Sequence, residues 1–178
     1  MRRILVGSVF MFLVAGLAAG QSPNPVVEAR VVMATDAAHA GATAKAAVVA
    51  QVAPGYHIND HKPFLDYLIP SELKLEPSKQ VSVVDVVYPK GQLKKFAFSD
   101  MSLSVYEGTL VVGAVLQVAK AAPPGEYTLK GKFAYQACND HACLPPASVP
   151  LTLTVKVVGR RVPLKRQNAD VFDKLDFD

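Results

Sequence analysis

Apolar and polar residues alternate with a period of two along much of this chain. Between positions 127 and 135, Tyr, Leu and Phe mostly occupy the odd positions, whereas Thr and Lys occupy the even ones. Residues 149–157 repeat the pattern, with Leu and Val on one side and Thr and Lys on the other. Such alternation predicts β-strands that have one buried and one wet face. We expect these two strands to be neighbours.

Four further segments are rich in β-branched residues and are separated by Pro, Gly, Asn or Asp. They are residues 26–33, 46–52, 81–88 and 109–118. No middle segment sustains a helical period. Many short strands with turn residues between them predict an all-β fold, an antiparallel two-sheet sandwich of the immunoglobulin-like kind. Residues 54–63, 89–104 and 137–147 are predicted to be functional loops on this sandwich.

The first residues are typical of a secretory signal. Arg2 and Arg3 precede an apolar run over residues 4–19, and small residues lead to Gly20. We expect residues 1–20 to be removed, which leaves a soluble protein that is periplasmic or otherwise exported. An uncleaved membrane anchor is the alternative. Residues 21–158 are predicted to form one domain, and residues 159–178 a tail in which residues 169–175 form a short helix.

The charge distribution gives little support to nucleic-acid binding. The net charge of +4 comes partly from the signal arginines and partly from a basic cluster near the C-terminus. We expect that cluster to be a solvated part of the tail and expect no nucleic-acid partner. The sequence contains no Gly-rich phosphate loop, no Gly-x-Ser-x-Gly and no His-Glu motif of a metalloprotease.

Cys138 and Cys143 are the only cysteines of the chain. In an oxidising compartment, two isolated cysteines so close in sequence are expected to form a disulfide. Closing a loop of about six residues stabilises a fold by only about 2 kcal/mol in the chain-entropy model. A domain of this length has enough residues to build its own core. Spacing alone leaves both a structural bridge and a redox-active pair open.

The sequence around the cysteines is Tyr135-Gln136-Ala137-Cys138, followed by Cys143-Leu144-Pro145-Pro146. Three more motifs accompany it: Gly55-Tyr56-His57-Ile58-Asn59, Tyr88-Pro89-Lys90-Gly91 and Val105-Tyr106-Glu107-Gly108. Together, these motifs resemble the N-terminal periplasmic domain of the DsbD thiol:disulfide interchange family. The resemblance extends from about residue 26 to residue 158.

The resemblance implies an immunoglobulin-like fold and a thiol:disulfide oxidoreductase in which Cys138 and Cys143 take the family's two cysteine positions. A membrane-embedded or thioredoxin-like thiol donor would supply electrons, and periplasmic disulfide proteins would receive them as clients. Full-length members continue into a transmembrane domain and a thioredoxin-like domain. Because this chain stops at residue 178, the donor is expected to act in trans. The resemblance implies no cofactor and no metal, and it suggests a link to cytochrome c biogenesis.

The family also places other side chains near the disulfide. In such domains an aromatic residue on a loop covers the disulfide, and within residues 93–101 the candidates for this cap are Phe96 and Phe98. Burial in the core is the alternative for both. His57 and Asn59 occupy positions that lie near the cysteines in the family. A hydrogen-bonded loop histidine is the alternative for His57.

Three features depart from the family pattern. The loop between the cysteines is one residue shorter than in the best-known members, and it carries His141. A protonated His141 would favour a thiolate, and Asp140 would shuttle or repel charge; the alternative is that both are merely solvated. Lys94 and Lys95 occupy a loop that is often acidic in the family. The third departure is the absence of the following domains.

Two other classes of function stay open at this stage. In the first, Cys138, His141 and Cys143 join His57 or His61 in a zinc or copper site. The Cys-x4-Cys spacing is unusual for zinc, and an oxidised pair supplies no thiolate ligand. In the second, the chain is an immunoglobulin-like binding module with an inert disulfide.

Overall fold

The computed structural model describes residues 25–97 and 99–177. The predicted signal at residues 1–20 and the cap candidate Phe98 lie outside the described residues. Within these ranges, the chain forms twelve strands and one short helix. The strands are β1 (Val27–Met33), β2 (Ala38–His39), β3 (Thr43–Val52), β4 (His57–Asn59), β5 (Glu72–Leu75), β6 (Val81–Val87), β7 (Gln92–Lys94), β8 (Leu103–Tyr106), β9 (Thr109–Val118), β10 (Gly125–Tyr135), β11 (Ala137–Cys138) and β12 (Ala147–Val158), and the helix is α1 (Ala169–Phe172).

Two four-stranded sheets form an immunoglobulin-like sandwich, as the alternation predicts. The first sheet has the order β1-β3-β9-β6 and is antiparallel throughout. The second has the order β2-β12-β10-β5, in which only the β2–β12 pair is parallel. Apolar residues from both sheets share one core. The apolar faces of the two sheets are thereby buried against each other, while the polar positions face water.

The two strands with the clearest alternation are neighbours, as predicted. β10 and β12 pair in antiparallel register along their length, with Leu129 opposite Leu153 and Phe133 opposite Val149. Leu129, Phe133 and Leu153 are buried. β9 has the predicted bounds, and the other predicted strands begin and end within three residues of the predicted positions.

A third, smaller sheet has the order β11-β4-β8-β7. It is built mainly from segments that the sequence predicts to be loops, namely residues 54–63, 89–104 and 137–147. These segments are predicted to be functional loops, and the expectation that they contain no strand is wrong. The strands have only two to four residues and are too short to show alternation. Each of these strands pairs with a strand that is distant in the sequence or, in the case of β7 and β8, with one on the other side of residues 95–102, the cap segment. Local sequence pattern therefore gives no signal for the pairing. This sheet carries the cysteines.

The C-terminal segment packs on the outer face of the first sheet. α1 occupies part of the predicted helix at 169–175, and its residues Val171 and Phe172 are buried against Ala47 of β3. Leu175 lies beyond the helix and is partly buried in the same cluster. The basic residues of this segment are exposed, as expected: Arg160, Arg161, Lys165 and Arg166. No helix in the described part of the chain is long and apolar enough to span a membrane.

Candidate functional site: the Cys138–Cys143 disulfide

Cys138 and Cys143 form the disulfide that the sequence predicts. The Sγ–Sγ distance is 2.00 Å, and the two Cα atoms are 3.9 Å apart. Cys138 ends β11, and Cys143 lies opposite it as an isolated antiparallel bridge. The chain therefore leaves the third sheet at one cysteine and returns beside it at the other.

The two cysteines differ in exposure. Cys138 is only 1% exposed because β11 pairs with β4 in the third sheet. Cys143 is exposed, as are Pro145 and Pro146 shortly after it. A proline has no backbone N–H to donate to a strand ladder, so a regular strand cannot continue through this pair. The disulfide therefore joins a buried residue to an exposed one.

Asn139 shapes the turn between the cysteines. Its Oδ1 accepts hydrogen bonds from the backbone N–H groups of His141 and Ala142, both at 2.9 Å. The Asn139 N–H donates to the Ala142 carbonyl at 3.0 Å. An asparagine side chain commonly stabilises a turn by accepting hydrogen bonds from backbone N–H groups two and three residues further on. The asparagine directly after Cys138 is therefore a sequence signal for this turn. Asn139 is not among the site residues predicted from the sequence.

His57 lies beside the disulfide, on β4. The β4–β11 register places His57 directly opposite Cys138. His57 is 2% exposed, and its ring stacks on that of Phe96 with the ring centroids 4.1 Å apart. Phe96 is itself buried in a small cluster with Leu103 and Val105. Three residues that the sequence singles out are therefore neighbours in order: Phe96 stacks on His57, and His57 lies opposite Cys138.

Burial controls the ionisation of His57. Removal of the ring from water lowers its pKa below the usual value, whereas the nearby charges of Glu107 and Asp140 act to raise it and that of Lys94 acts to lower it. The result is a lowered pKa and a neutral imidazole at pH 7. These four side chains also line one groove, with a volume of about 420 Å³. His141, by contrast, is an exposed residue of the turn.

The two lysines before Phe96 are bound within the domain. The Lys94 ammonium pairs with the Glu107 carboxylate, and Lys95 donates to the backbone carbonyl of Asp100. Lys95 thus bridges the two ends of the segment that contains the cap candidates. The basic character of this segment is partly neutralised by the ion pair.

Asn59 is buried two residues beyond His57 on the same strand. Its Nδ2 donates to the Ile69 carbonyl at 2.9 Å, and its exposed fraction is 1%. The segment that Asn59 anchors contributes Leu65 and Leu68 to the apolar cluster around Phe96. The described contacts of Asn59 therefore connect it with the surroundings of Phe96 and not directly with a cysteine.

Asp60, which is not among the site residues predicted from the sequence, forms a hydrogen-bond network. Its carboxylate accepts hydrogen bonds from Ser104 Oγ at 2.5 Å and from the Tyr106 hydroxyl at 2.6 Å. Burial acts to raise the pKa of Asp60, but the hydrogen bonds prevail and hold it below its usual value. Burial, together with the bond to Asp60, raises the pKa of Tyr106. Since Ser104 and Tyr106 belong to β8, this network fixes the strand that follows the cap segment.

The residues proposed for the alternative metal site make other contacts in the structure. The two sulfur atoms are bonded to each other, and the His61 ring stacks on Tyr88 with centroids 3.7 Å apart. Among residues 25–97 and 99–177, no group of three or more His, Cys, Asp or Glu side chains is placed to hold a metal ion.

The fold and the site together define a class of protein. An immunoglobulin-like sandwich that carries a lone disulfide between a buried and an exposed cysteine has the features of a thiol:disulfide interchange domain. The model of one family, the N-terminal region of the thiol:disulfide interchange protein DsbD, matches residues 24–154. The chain belongs to this family, as its motifs indicate. No curated protein matches it.

Three solved structures are among those to which this chain is similar. The N-terminal periplasmic domain of ScsB from Proteus mirabilis has 16% sequence identity and a TM-score of 0.51, over 73% of this chain and 47% of that one. This chain thus spans about half the length of the ScsB chain. The DsbD N-terminal domain of Neisseria meningitidis, in its reduced form, has 21% identity and a TM-score of 0.43, over 71% and 86% of the two chains. The same domain also appears in a complex with the N-terminal domain of PilB, with 22% identity and a TM-score of 0.41, over 68% and 80%.

Proposed function

We propose that this protein is an exported thiol:disulfide interchange domain that relays electrons through Cys138 and Cys143. A membrane-embedded or thioredoxin-like thiol protein acts as the donor in trans, and periplasmic disulfide proteins are the clients. Family membership supports the reaction type. The observation that carries the proposal is the asymmetry of the disulfide, which joins the exposed Cys143 to the buried Cys138.

The asymmetry supports one order for the exchange. A donor thiolate attacks the Sγ atom of Cys143, the Cys138–Cys143 bond breaks, and Cys138 leaves as a thiolate. The donor's second thiolate then attacks the donor sulfur of the mixed disulfide and releases Cys143. The pair gains two electrons and the donor becomes a disulfide. With an oxidised client the same steps run in reverse, starting from attack by the Cys143 thiolate.

Phe96 is the cap of the disulfide in this proposal. Its ring covers His57, the cross-strand neighbour of Cys138, and it belongs to the segment between β7 and β8. Movement of this segment would open the buried side of the disulfide, where Cys138 must leave as a thiolate when Cys143 is attacked, whereas the closed arrangement keeps that side dry and disfavours the thiolate. Loops suit such movement because they have fewer packing constraints than the sheets that carry them.

Trapping of the mixed disulfide tests the relay. A Cys138→Ser variant keeps the exposed cysteine and lacks the thiol that would resolve the adduct, so it is expected to capture donors and clients from the exported fraction. The matched Cys143→Ser variant keeps only the buried cysteine and is expected to capture far less. Mass spectrometry of the adducts identifies the partners.

The opposite results would point to other functions. Failure of both variants to capture a protein would contradict the relay. Equal capture by both would contradict the proposed order of attack. A disulfide potential below about −300 mV, measured by equilibration with dithiol buffers, would support an inert bridge in a binding module, because structural disulfides resist reduction at that level.

A further inference from the structure

His57 lies directly across the third sheet from the buried cysteine. Residues directly opposite each other in an antiparallel pair project from the same face, with Cβ atoms about 4.5–5.5 Å apart. His57 and Cys138 form such a pair. The Nε2 atom of His57 is buried and has no hydrogen-bond partner among the described residues. A buried polar atom without a partner is rare in a folded protein and calls for an explanation.

Cys138 needs a proton acceptor at one point of the relay. When a client is bound to Cys143 as a mixed disulfide, Cys138 must attack as a thiolate to release it. A free thiol has a pKa of about 8.5, so only about 3% is ionised at pH 7, and burial acts to reduce this fraction further. Cys138 is 1% exposed, so bulk water has little access to its proton.

We propose that His57 is the general base for Cys138, a role that deepens the proposed function and rests on it. The Cys138 S–H gives its proton to the unpartnered ring nitrogen while the Cys138 sulfur bonds to Cys143 Sγ. The Cys143–client S–S bond breaks, and the client sulfur leaves with the electron pair. The client gains two electrons and the cysteine pair loses them. The imidazolium then returns its proton to solvent or to the client thiolate.

The surroundings of the ring suit this task. Glu107 beyond β8 and Asp140 on the cysteine turn favour the protonated imidazole that forms during the step, whereas Lys94 on β7 opposes it. Phe96 covers the ring from the cap segment and keeps it dry. Burial lowers the pKa of His57, so the ring is neutral and able to accept a proton at pH 7.

A reaction with one equivalent of the aromatic disulfide dithiobis(nitrobenzoate) separates the two thiols of the reduced full-length protein. Attack by Cys143 releases the first thionitrobenzoate, and attack by Cys138 on the resulting mixed disulfide releases the second. The absorbance of the released thiolate reports both rates. The reagent needs no biological partner, so the assay is independent of the trapping experiment that tests the relay itself.

The matched variant is His57→Phe, which keeps a flat ring against Phe96 and lacks the nitrogen. We expect it to slow the second release by at least about tenfold at pH 7 and to leave the first within about twofold. The difference should shrink as the pH rises above the pKa of a free thiol, because the buried Cys138 thiol then ionises increasingly without a base. In the unmodified protein, the second rate should also fall as the pH drops below the lowered pKa of His57.

Two results would overturn the proposal. One is a second release that is equally fast in His57→Phe and in the unmodified protein at pH 7. The other is a slowing that is the same at every pH, since a purely structural role for His57 gives no pH dependence. Failure to trap any partner with Cys138→Ser would reject the relay but would leave this chemistry measurable.

Discussion

Replacing Phe96 with alanine distinguishes a cap from an ordinary core residue. The Phe96 side chain is 7% exposed, and its ring stacks on His57 at 4.1 Å. Burying a phenylalanine side chain contributes about 1.5–3 kcal/mol, and an aromatic stack adds about 0.5–1.5 kcal/mol. Phe96→Ala is thus expected to destabilise the closed arrangement of the segment by about 2–4 kcal/mol.

The loss should appear in the rate at which the disulfide is reduced. If this free energy holds the segment closed, Phe96→Ala raises the population of the open arrangement. Since every 1.4 kcal/mol is a factor of ten, we expect reduction by a small dithiol to become at least about 30-fold faster, up to the rate of a fully open disulfide. Stopped-flow mixing with dithiothreitol measures this rate, and urea denaturation measures stability.

Phe172→Ala provides the matched control. Phe172 is 8% exposed, so its burial is close to that of Phe96, but it lies in the separate cluster formed by α1 on the first sheet. Both variants should be less stable than the unmodified protein, and only Phe96→Ala should be reduced faster. Reduction rates within twofold of the unmodified protein for both variants would show that Phe96 is a core residue and would refute the cap.

Three further predictions concern the framework around the disulfide. The pKa of Asp60 is lower in the folded chain than in the unfolded one, so its contribution to stability is present above about pH 4 and is lost as the pH falls through the folded pKa. Asp60→Asn should therefore cost about 1–3 kcal/mol at pH 7 and flatten the acid side of a urea-denaturation series; an unchanged acid dependence would contradict this. Asn139→Ala should lower the free energy of unfolding of the oxidised protein by about 1 kcal/mol, whereas Asn139→Asp keeps the acceptor oxygen and should cost less; equal losses would argue against the turn role. A Cβ atom at Gly131 would lie 2.3 Å from the Lys74 carbonyl oxygen, so Gly131→Ala should cost about 1–3 kcal/mol in urea denaturation. Gly125→Ala, which meets nothing within 4 Å, should change stability by less than about 0.5 kcal/mol, and similar values for both glycines would refute the steric argument.

The long strands were predictable because their side-chain pattern is itself the consequence of the sheet. A strand of ten residues, such as β9, shows several periods of alternation, and burial of one face is enough to select it. The disulfide was predictable for a similar reason, since two cysteines five positions apart are close in any compact arrangement. The motifs around them identify the family, which the family model confirms.

The third sheet was not predictable from local pattern. Its strands have two to four residues, and their pairing depends on where the sandwich brings the ends of distant segments. Asp60 and Ser104 illustrate the difficulty, because they are 44 positions apart and meet only when β4 and β8 lie in one sheet. Neither residue has a local signature that distinguishes it from a solvated loop side chain.

The sequence by itself therefore determined the sandwich, its long strands and the pair of cysteines, because periodicity and short spacing are properties of neighbouring positions. Only the tertiary structure decided that Cys138 is buried while Cys143 is exposed, and that His57 lies opposite Cys138 beneath Phe96. These relations arise from cross-strand register, which is set by the burial of whole sheets. Register is a property of segments that are far apart in the chain, so no local pattern encodes it.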